Sequence, residues 1–326
     1  MDHIDTVWFA VVNPHAGSGK MLSLWKNAEE RLRHRGITCE YHTTGNRHHA
    51  TELACSAARK GFRRFIAAGG DGTVHEMLDG IMRGIAVLQA EGMTADLSDF
   101  TLAVIPIGSG NDWIRSHGVP CDAGIAAELI ADGSFAAQDI VRVISSGISG
   151  PGRKQEPSYM INIGGIGLDA RICERVNLQK DAGKSGRLLY VNSLIHNLIH
   201  SKIFRVSVIC DGKSFYEGEC LSIAFGIGKY SGGGFRQTPE AVMDDGLLDV
   251  TVIPPMPVSD MPRAALRLVD GSFLTQKQVL SAKARKVEVL PLDDCCEIME
   301  ADGEIIGTVP VCLEVLPSRL NVLHRG

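Results

Sequence analysis

Three short stretches set acids beside glycines: GGDGT at residues 69–73, PIGSGND at 106–112 and ADGE at 301–304. Glycine has no Cβ and accepts positive φ, so its backbone N–H can approach an anion closely. A carboxylate on the same turn repels that anion unless a metal ion stands between them. Asp71, Asp112 and the run Asp302-Gly303-Glu304, each beside a glycine turn, therefore point to a nucleotide phosphate held with Mg²⁺. Taken alone, GGDGT also fits a plain strand-to-helix connection capped by Asp71 and Thr73. The two companion turns favour chemistry, with Asp71 placed to hold magnesium or its waters.

The elements around these turns bring them together. TVWFAVVNP, ITCEYHTT, RRFIAAGG and FTLAVIPIGSGND read as strands. Between them MLSLWKNAEERLRHRG, HHATELACSAARKG and VHEMLDGIMRGIAVLQ read as amphipathic helices, two of them closed by Gly36 and Gly61. Alternating strand and helix implies a mostly parallel sheet covered by helices, with ligands beyond the carboxyl ends of the strands. The turns NPHAGSGK, GGDGT and PIGSGND all lie at such ends. After about residue 138 the pattern changes to short β-rich runs separated by Gly, Pro and Asp, from QDIVRVIS to PVCLEVLP, as in an antiparallel sandwich. One apolar helix, SGRLLYVNSLIHNLIHSKIF, interrupts them, and SSGISGPGRKQEPS reads as a hairpin loop.

Other patterns are decoys. PHAGSGK lacks the first glycine of a P-loop, where Pro14 stands, and has Met21 in place of the Ser/Thr metal ligand. It can still offer backbone N–H groups to phosphate at the start of the next helix. GIGLDA at 165–170 meets a dinucleotide pattern, but Tyr190 stands where the ribose-binding acid belongs, so it reads as a turn or bulge. His196 and His200 lack the intervening glutamate of a zinc protease and read as polar helix positions. The nine scattered cysteines, with no CxxC pair, fit reduced thiols, and Cys295-Cys296 reads as opposite-facing strand residues. A net charge of -5 without a basic block argues against nucleic acid. The acidic start lacks a signal-peptide pattern, and no apolar run reaches the roughly 20 residues that span a bilayer. A cytoplasmic protein is the expectation.

The motifs NPHAGSGK, GGDGTVHEMLDG, PIGSGNDWIR, TPEAVMDDGLLDV and ADGE, in this order over nearly the whole chain, resemble the diacylglycerol kinase catalytic family. That family includes bacterial lipid kinases and sphingosine kinases; GGDGT alone is shared with NAD kinases. The resemblance implies a phosphofructokinase-like N-terminal α/β nucleotide domain followed by a C-terminal antiparallel β-sandwich. Residues 1–138 plus a returning segment 308–326 would form the ATP-binding domain, and 139–307 the lipid-substrate domain. It implies ATP contacts at Asn13, Gly17 and Ser18 and at a threonine after the second strand, Thr43 or Thr44, with Thr43 favoured. Gly69, Gly70, Asp71, Gly72, Thr73, His75 and Glu76 would line the nucleotide, with Ser109 and Asn111. Asp71 and Asp112 would position catalytic Mg²⁺, directly or through water. Glu304, over the γ-phosphate, would accept the proton. Val242 and Leu247 carbonyls and the Asp245 carboxylate would bind a second, structural Mg²⁺.

The implied reaction is ATP-dependent phosphorylation of a lipid hydroxyl, on diacylglycerol, a sphingoid base or a related alcohol. Phosphoryl transfer rests on positioning and charge neutralisation. A carboxylate is too weak a base to ionise an alcohol beforehand, so the proton moves late. ERVNLQKDAGKSGR, with Arg175, Lys180, Lys184 and Arg187, reads as a solvated loop or as a patch docking on the inner face of the membrane. The alternatives are a kinase for a soluble substrate, NAD included, and a non-catalytic nucleotide or lipid sensor. The lipid's identity and the oligomeric state, a homodimer among the options, leave no mark in the sequence.

Overall fold

The computed structural model describes residues 6–107, 110–146, 156–181, 202–294 and 296–326. The chain forms two units, Met1–Gln138 with Ser318–Gly326, and Asp139–Pro317.

In the first unit β1 (Trp8–Val12), β2 (Cys39–Thr43), β3 (Arg64–Gly69) and β4 (Thr101–Pro106) pair in the order β4-β3-β1-β2, all parallel. WFAVV is buried along its whole length, as are FIAAG and LAVIP, which is the signature of parallel strands covered on both faces. The covering helices are α1 (Met21–His34), α2 (His49–Arg59), α3 (Asp71–Ala90), α4 (Asp112–Ser116) and α5 (Ala123–Ala131). The sequence pattern starts α3 at Val74; it starts at Asp71, because Gly70 is extended and the Thr73 and Val74 N–H groups already bond to its carbonyl.

The second unit holds β5 (Phe135–Ser146) from Asp139 onward, β6 (Ser158–Met160), β7 (Ile163–Gly167), β8 (Phe204–Cys210), β9 (Lys213–Cys220), β10 (Ser222–Gly226), β11 (Leu248–Ile253), β12 (Leu280–Ala284), β13 (Lys286–Pro291) and β14 (Ile298–Ala301). One antiparallel run is β12-β11-β10-β7-β14, and β13-β8-β9 is another. The long β15 (Glu304–Leu323) pairs with β14 and with β13. Val141, Met160, Phe225, Val250, Val287 and Leu313 share the sandwich core.

Expected return of the chain to the first unit at residue 308 comes later, at Ser318. Val311–Glu314 are still paired with β13, and Val309, Val311, Leu313 and Val315 alternate into the sandwich core, which holds this stretch in the second unit. Only then do Asn321 and Val322 run parallel to Thr101 and Leu102 of β4.

Two helices of this unit run against the sequence reading. Residues 165–170 are the end of β7 and the start of α6 (Leu168–Asp181), so the stretch from Glu174 to Asp181 is helix rather than solvated loop. Ile172 and Val176 pack one turn apart beside Leu168, Leu221 and Met261 and fix that helix. A further helix, α7 (Met261–Asp270), lies in a region where only strands and turns are expected. Lys184, Arg187, both histidines of the i, i+4 pair and nearly all of the apolar helix 185–204 lie outside the described residues, as does most of the 145–158 loop. Cys296 is exposed and precedes β14 instead of lying in a strand, and Cys295 is outside the described set.

Candidate functional site

Because β1, β3 and β4 are parallel, the turns that follow them share one edge of the first unit, and side chains knit them together. Asn13 donates through Nδ2 to Thr73 Oγ1 at 3.4 Å, joining the first turn to the second, while its Oδ1 accepts the His15 N–H at 3.0 Å. Gly69 permits this: a Cβ there would lie 2.3 Å from the Thr73 hydroxyl oxygen. Gly17, at φ +61°, packs so closely on Ile107 that a Cβ would stand 2.3 Å from its Cγ2, joining the first turn to the third. Ser18 falls in a short 3-10 helix, Ala16–Gly19. Gly70 and Gly72 flank Asp71 at the N-terminus of a 20-residue helix, where partial positive charge accumulates.

Asp71 joins the second turn to the third. Its Oδ2 accepts the Asp112 N–H and its Oδ1 the Trp113 N–H, both at 3.1 Å, so the carboxylate caps the start of α4. Asp112 is buried, and Arg115 Nε lies 3.6 Å from its Oδ1. A Cβ on Gly110 would sit 3.2 Å from Asp71 Oδ2 and 3.7 Å from Asp112 Oδ2, so both carboxylates border one glycine. Asn111 adopts a left-handed conformation, φ 51°, and is held from Nδ2 to Cys121 Sγ at 2.8 Å. Trp113 anchors α4 by donating from Nε1 to Gln138 Oε1 at 3.0 Å, and His117 Nε2 lies 2.7 Å from the same oxygen. Burial, only partly opposed by Gln138, lowers the His117 pKa to about 3 and keeps the ring neutral.

The remaining expected nucleotide residues divide. Thr43 ends β2 and is exposed, whereas Thr44 is buried and donates its N–H to the Val12 carbonyl at 2.9 Å. His75 is buried in α3. Both Glu76 oxygens accept backbone N–H groups, of His48 at 3.0 Å and Ala50 at 3.2 Å, so this carboxylate fastens the N-terminus of α2. Ser109 lies outside the described residues.

The second unit carries its own acid cluster. Asp302 and Gly303, at φ 52° and 91°, form the two-residue turn between β14 and β15, and half-buried Glu304 follows it. The Asp302 carboxylate accepts N–H groups of Ile161, Asn162 and Ile163 at 2.8, 2.9 and 3.2 Å. The Gly303 carbonyl accepts from Asn177 Nδ2 at 2.9 Å and from the Cys173 thiol at 2.8 Å. Buried Glu300 accepts the Gly303 N–H at 2.9 Å. Burial holds the Glu300 carboxyl well above the usual range; the Gly303 bond opposes this, and repulsion from Asp169, Asp302 and Glu304 adds to it.

Asp169 escaped the sequence reading. It lies at the polar end of a mostly apolar cleft of about 50 Å³, lined by Leu168, Ile172, Leu221, Ile253, Met261 and Phe273. Gln237 Nε2 donates to its Oδ1 at 2.7 Å and the Ser222 hydroxyl to its Oδ2 at 3.1 Å. Burial outweighs both bonds and raises its pKa to about 6. The only local signal is an acid two residues after the glycine-rich strand GGIG.

Val242, Asp245 and Leu247 belong to the loop before β11. Asp245 Oδ1 accepts the Leu247 N–H at 3.0 Å, and Lys283 Nζ lies 3.5 Å from its Oδ2. Among the described residues no group of three or more His, Cys, Asp or Glu side chains is arranged to hold a metal.

Residues 7–143 match the diacylglycerol kinase catalytic domain, and residues 163–324 match the YegS C-terminal NAD kinase β-sandwich-like domain. A diacylglycerol kinase of Mycobacterium tuberculosis (strain ATCC 25618 / H37Rv) is 27% identical over 322 residues, covering 97% of this chain and 94% of its own. A YegS-like lipid kinase of Xanthomonas oryzae pv. oryzae (strain MAFF 311018) is 30% identical over 300 residues, covering 91% of this chain and 90% of its own. A crystal structure of a diacylglycerol kinase from Bacillus anthracis str. Sterne superimposes with a TM-score of 0.69 at 21% identity, over 98% of this chain and 97% of that one. At that identity the likeness speaks for the fold.

Proposed function

The chain belongs to the diacylglycerol kinase catalytic family, and on that premise we propose that it transfers the γ-phosphoryl group of ATP to a hydroxyl of a lipid, such as diacylglycerol or a sphingoid base. The observation that carries the lipid acceptor is the cleft: its lining is mostly apolar with Asp169 at its polar end, and Glu300 feels the charges of both Asp169 and Glu304. The polar end of the cleft and the expected proton acceptor are therefore electrostatic neighbours.

The three glycine turns and the α3 N-terminus hold the triphosphate, with Asn13, Thr43, Thr73 and Asn111 fixing its orientation. Glu76 acts indirectly, by setting the turn after β2. Asp71 and Asp112 fit a Mg²⁺ ion, since both carboxylates border Gly110 beside an anion-binding turn, and the ion supplies charge neutralisation when bound. Glu304 accepts the alcohol proton as the new O–P bond forms. Asp169 orients the lipid head group through a hydroxyl. No described helix is long and apolar enough to cross a membrane. In this reading the lipid is met by peripheral contact with the inner face of the bilayer.

The deciding experiment incubates the protein with labelled ATP and magnesium, offering lipid extracts in mixed micelles and, separately, NAD. The expected result is a phosphorylated lipid identified by mass. Turnover of NAD without lipid would support the soluble-substrate reading that the NAD kinase-like sandwich match invites.

Asp169 gives a sharper test. Its folded pKa, about 6, stands above the ordinary 3.8, so its contribution to stability is full below pH 3.8 and is lost as pH rises through 6. At neutral pH the ionised, half-buried carboxylate therefore opposes folding. Asp169→Asn keeps shape and can keep both bonds, because the Ser222 hydroxyl can turn its proton to the Ile166 carbonyl 3.2 Å away. Urea unfolding should show the variant gaining stability over wild type as pH rises from 4 to 7, while lipid turnover falls. A variant that is both less stable at pH 7 and fully active would refute the role.

A further inference from the structure

Lys283 reaches three oxygens at the loop for which the family resemblance implies a second magnesium. Its Nζ lies 3.1 Å from Asp249 Oδ2 and 3.5 Å from Asp245 Oδ2, and it donates to the Glu240 carbonyl at 3.0 Å. Strand register makes the arrangement obligatory rather than casual: β12 pairs with β11 so that Lys283 stands directly across from Asp249. Asp249 is buried, so an ionised carboxylate there requires a cation close by.

The rest of the loop is closed without a metal. Asp245 Oδ1 accepts the Leu247 N–H, which folds residues 245–247 into an Asx turn. From the other side Asp139, fully buried, accepts the Gly246 N–H at 2.7 Å and donates its own N–H to the Met243 carbonyl at 2.7 Å. Magnesium demands near-octahedral oxygen ligands at about 2.0–2.1 Å. Of the expected set, Asp245 is the only carboxylate, and it already faces an ammonium that would repel a second cation.

We infer that the Lys283 ammonium is the resident cation of the 240–249 loop, standing where a divalent metal was expected at Val242, Asp245 and Leu247. The second unit is then braced by a covalently tethered charge, and its stability is independent of magnesium supply. The cation needed by the reaction remains a separate matter in the first unit.

Thermal melts by calorimetry, without nucleotide, in EDTA and in millimolar MgCl₂ test this. Wild-type curves should superimpose. Lys283→Met leaves Asp245 and Asp249 facing each other without a counter-charge, and its Tm should fall by roughly 3–6 °C in EDTA and recover with magnesium. Lys283→Arg should melt like wild type in both buffers, which keeps the test alive if the Met variant does not fold. Running the same pair of melts on Asp71→Asn removes the first unit's candidate ligand. A chelation shift that persists there overturns the inference, and one that vanishes there supports it. A Met variant with wild-type Tm in EDTA also overturns it.

Discussion

Glu304→Gln should lower kcat by about 10²–10⁴-fold while leaving ATP affinity nearly unchanged. The substitution keeps size and hydrogen bonding and removes only the proton acceptor. Its position favours a chemical role over a structural one. The turn before it is fixed by neighbours other than Glu304 itself: Asp302 gathers three backbone N–H groups, and the Gly303 carbonyl is bonded by Asn177 and Cys173. The backbone of Glu304 is thus preorganised, as a general base requires. The residues proposed to bind ATP all belong to the first unit, so nucleotide titration should give the same affinity for the variant and wild type. Turnover within a few-fold of wild type would remove Glu304 from the chemistry without touching the lipid-kinase reading.

The sequence made the first unit readable because parallel strands buried on both faces are continuous apolar runs, and WFAVV, FIAAG and LAVIP could be little else. The glycine turns were legible for the same reason: once the strands are parallel, their carboxyl ends must share an edge. Asp169 was not legible, since its bonding partners Ser222 and Gln237 lie more than fifty positions away, and a lone acid after a strand carries no local pattern. Lys283 was hidden likewise, because its partners are set by the register of β11 against β12. Helix α6 reads as loop over Glu174–Asp181 because polar and charged residues dominate that stretch, while most of its buried side, Leu168, Ile172 and Cys173, lies before it. Glu76 has a structural bond set that the motif does not announce: both its oxygens accept N–H groups at the N-terminus of α2.

Asp71→Asn should reduce turnover at least about 10²-fold and destabilise the first unit by about 1–2 kcal/mol. Two separate losses produce these effects. Both carboxylate oxygens accept N–H groups at the start of α4, and an amide can replace only one of them, leaving its own NH₂ facing a donor. This loosens α4 and with it the position of Asp112. The second loss is the charge itself, one of the two carboxylates bordering Gly110. The protein carries its own reporter for separating them. Its three tryptophans, Trp8, Trp25 and Trp113, all lie in the first unit, and the Trp113 backbone N–H donates to Asp71. Tryptophan emission therefore follows α4 and the melting of that unit alone. Charge loss should appear as a weakened magnesium dependence of ATP binding at temperatures where emission is still that of the folded protein. If emission and magnesium dependence both match wild type while turnover stays within a few-fold, Asp71 neither holds the metal nor sets α4, and the first-unit site must be rebuilt around other residues.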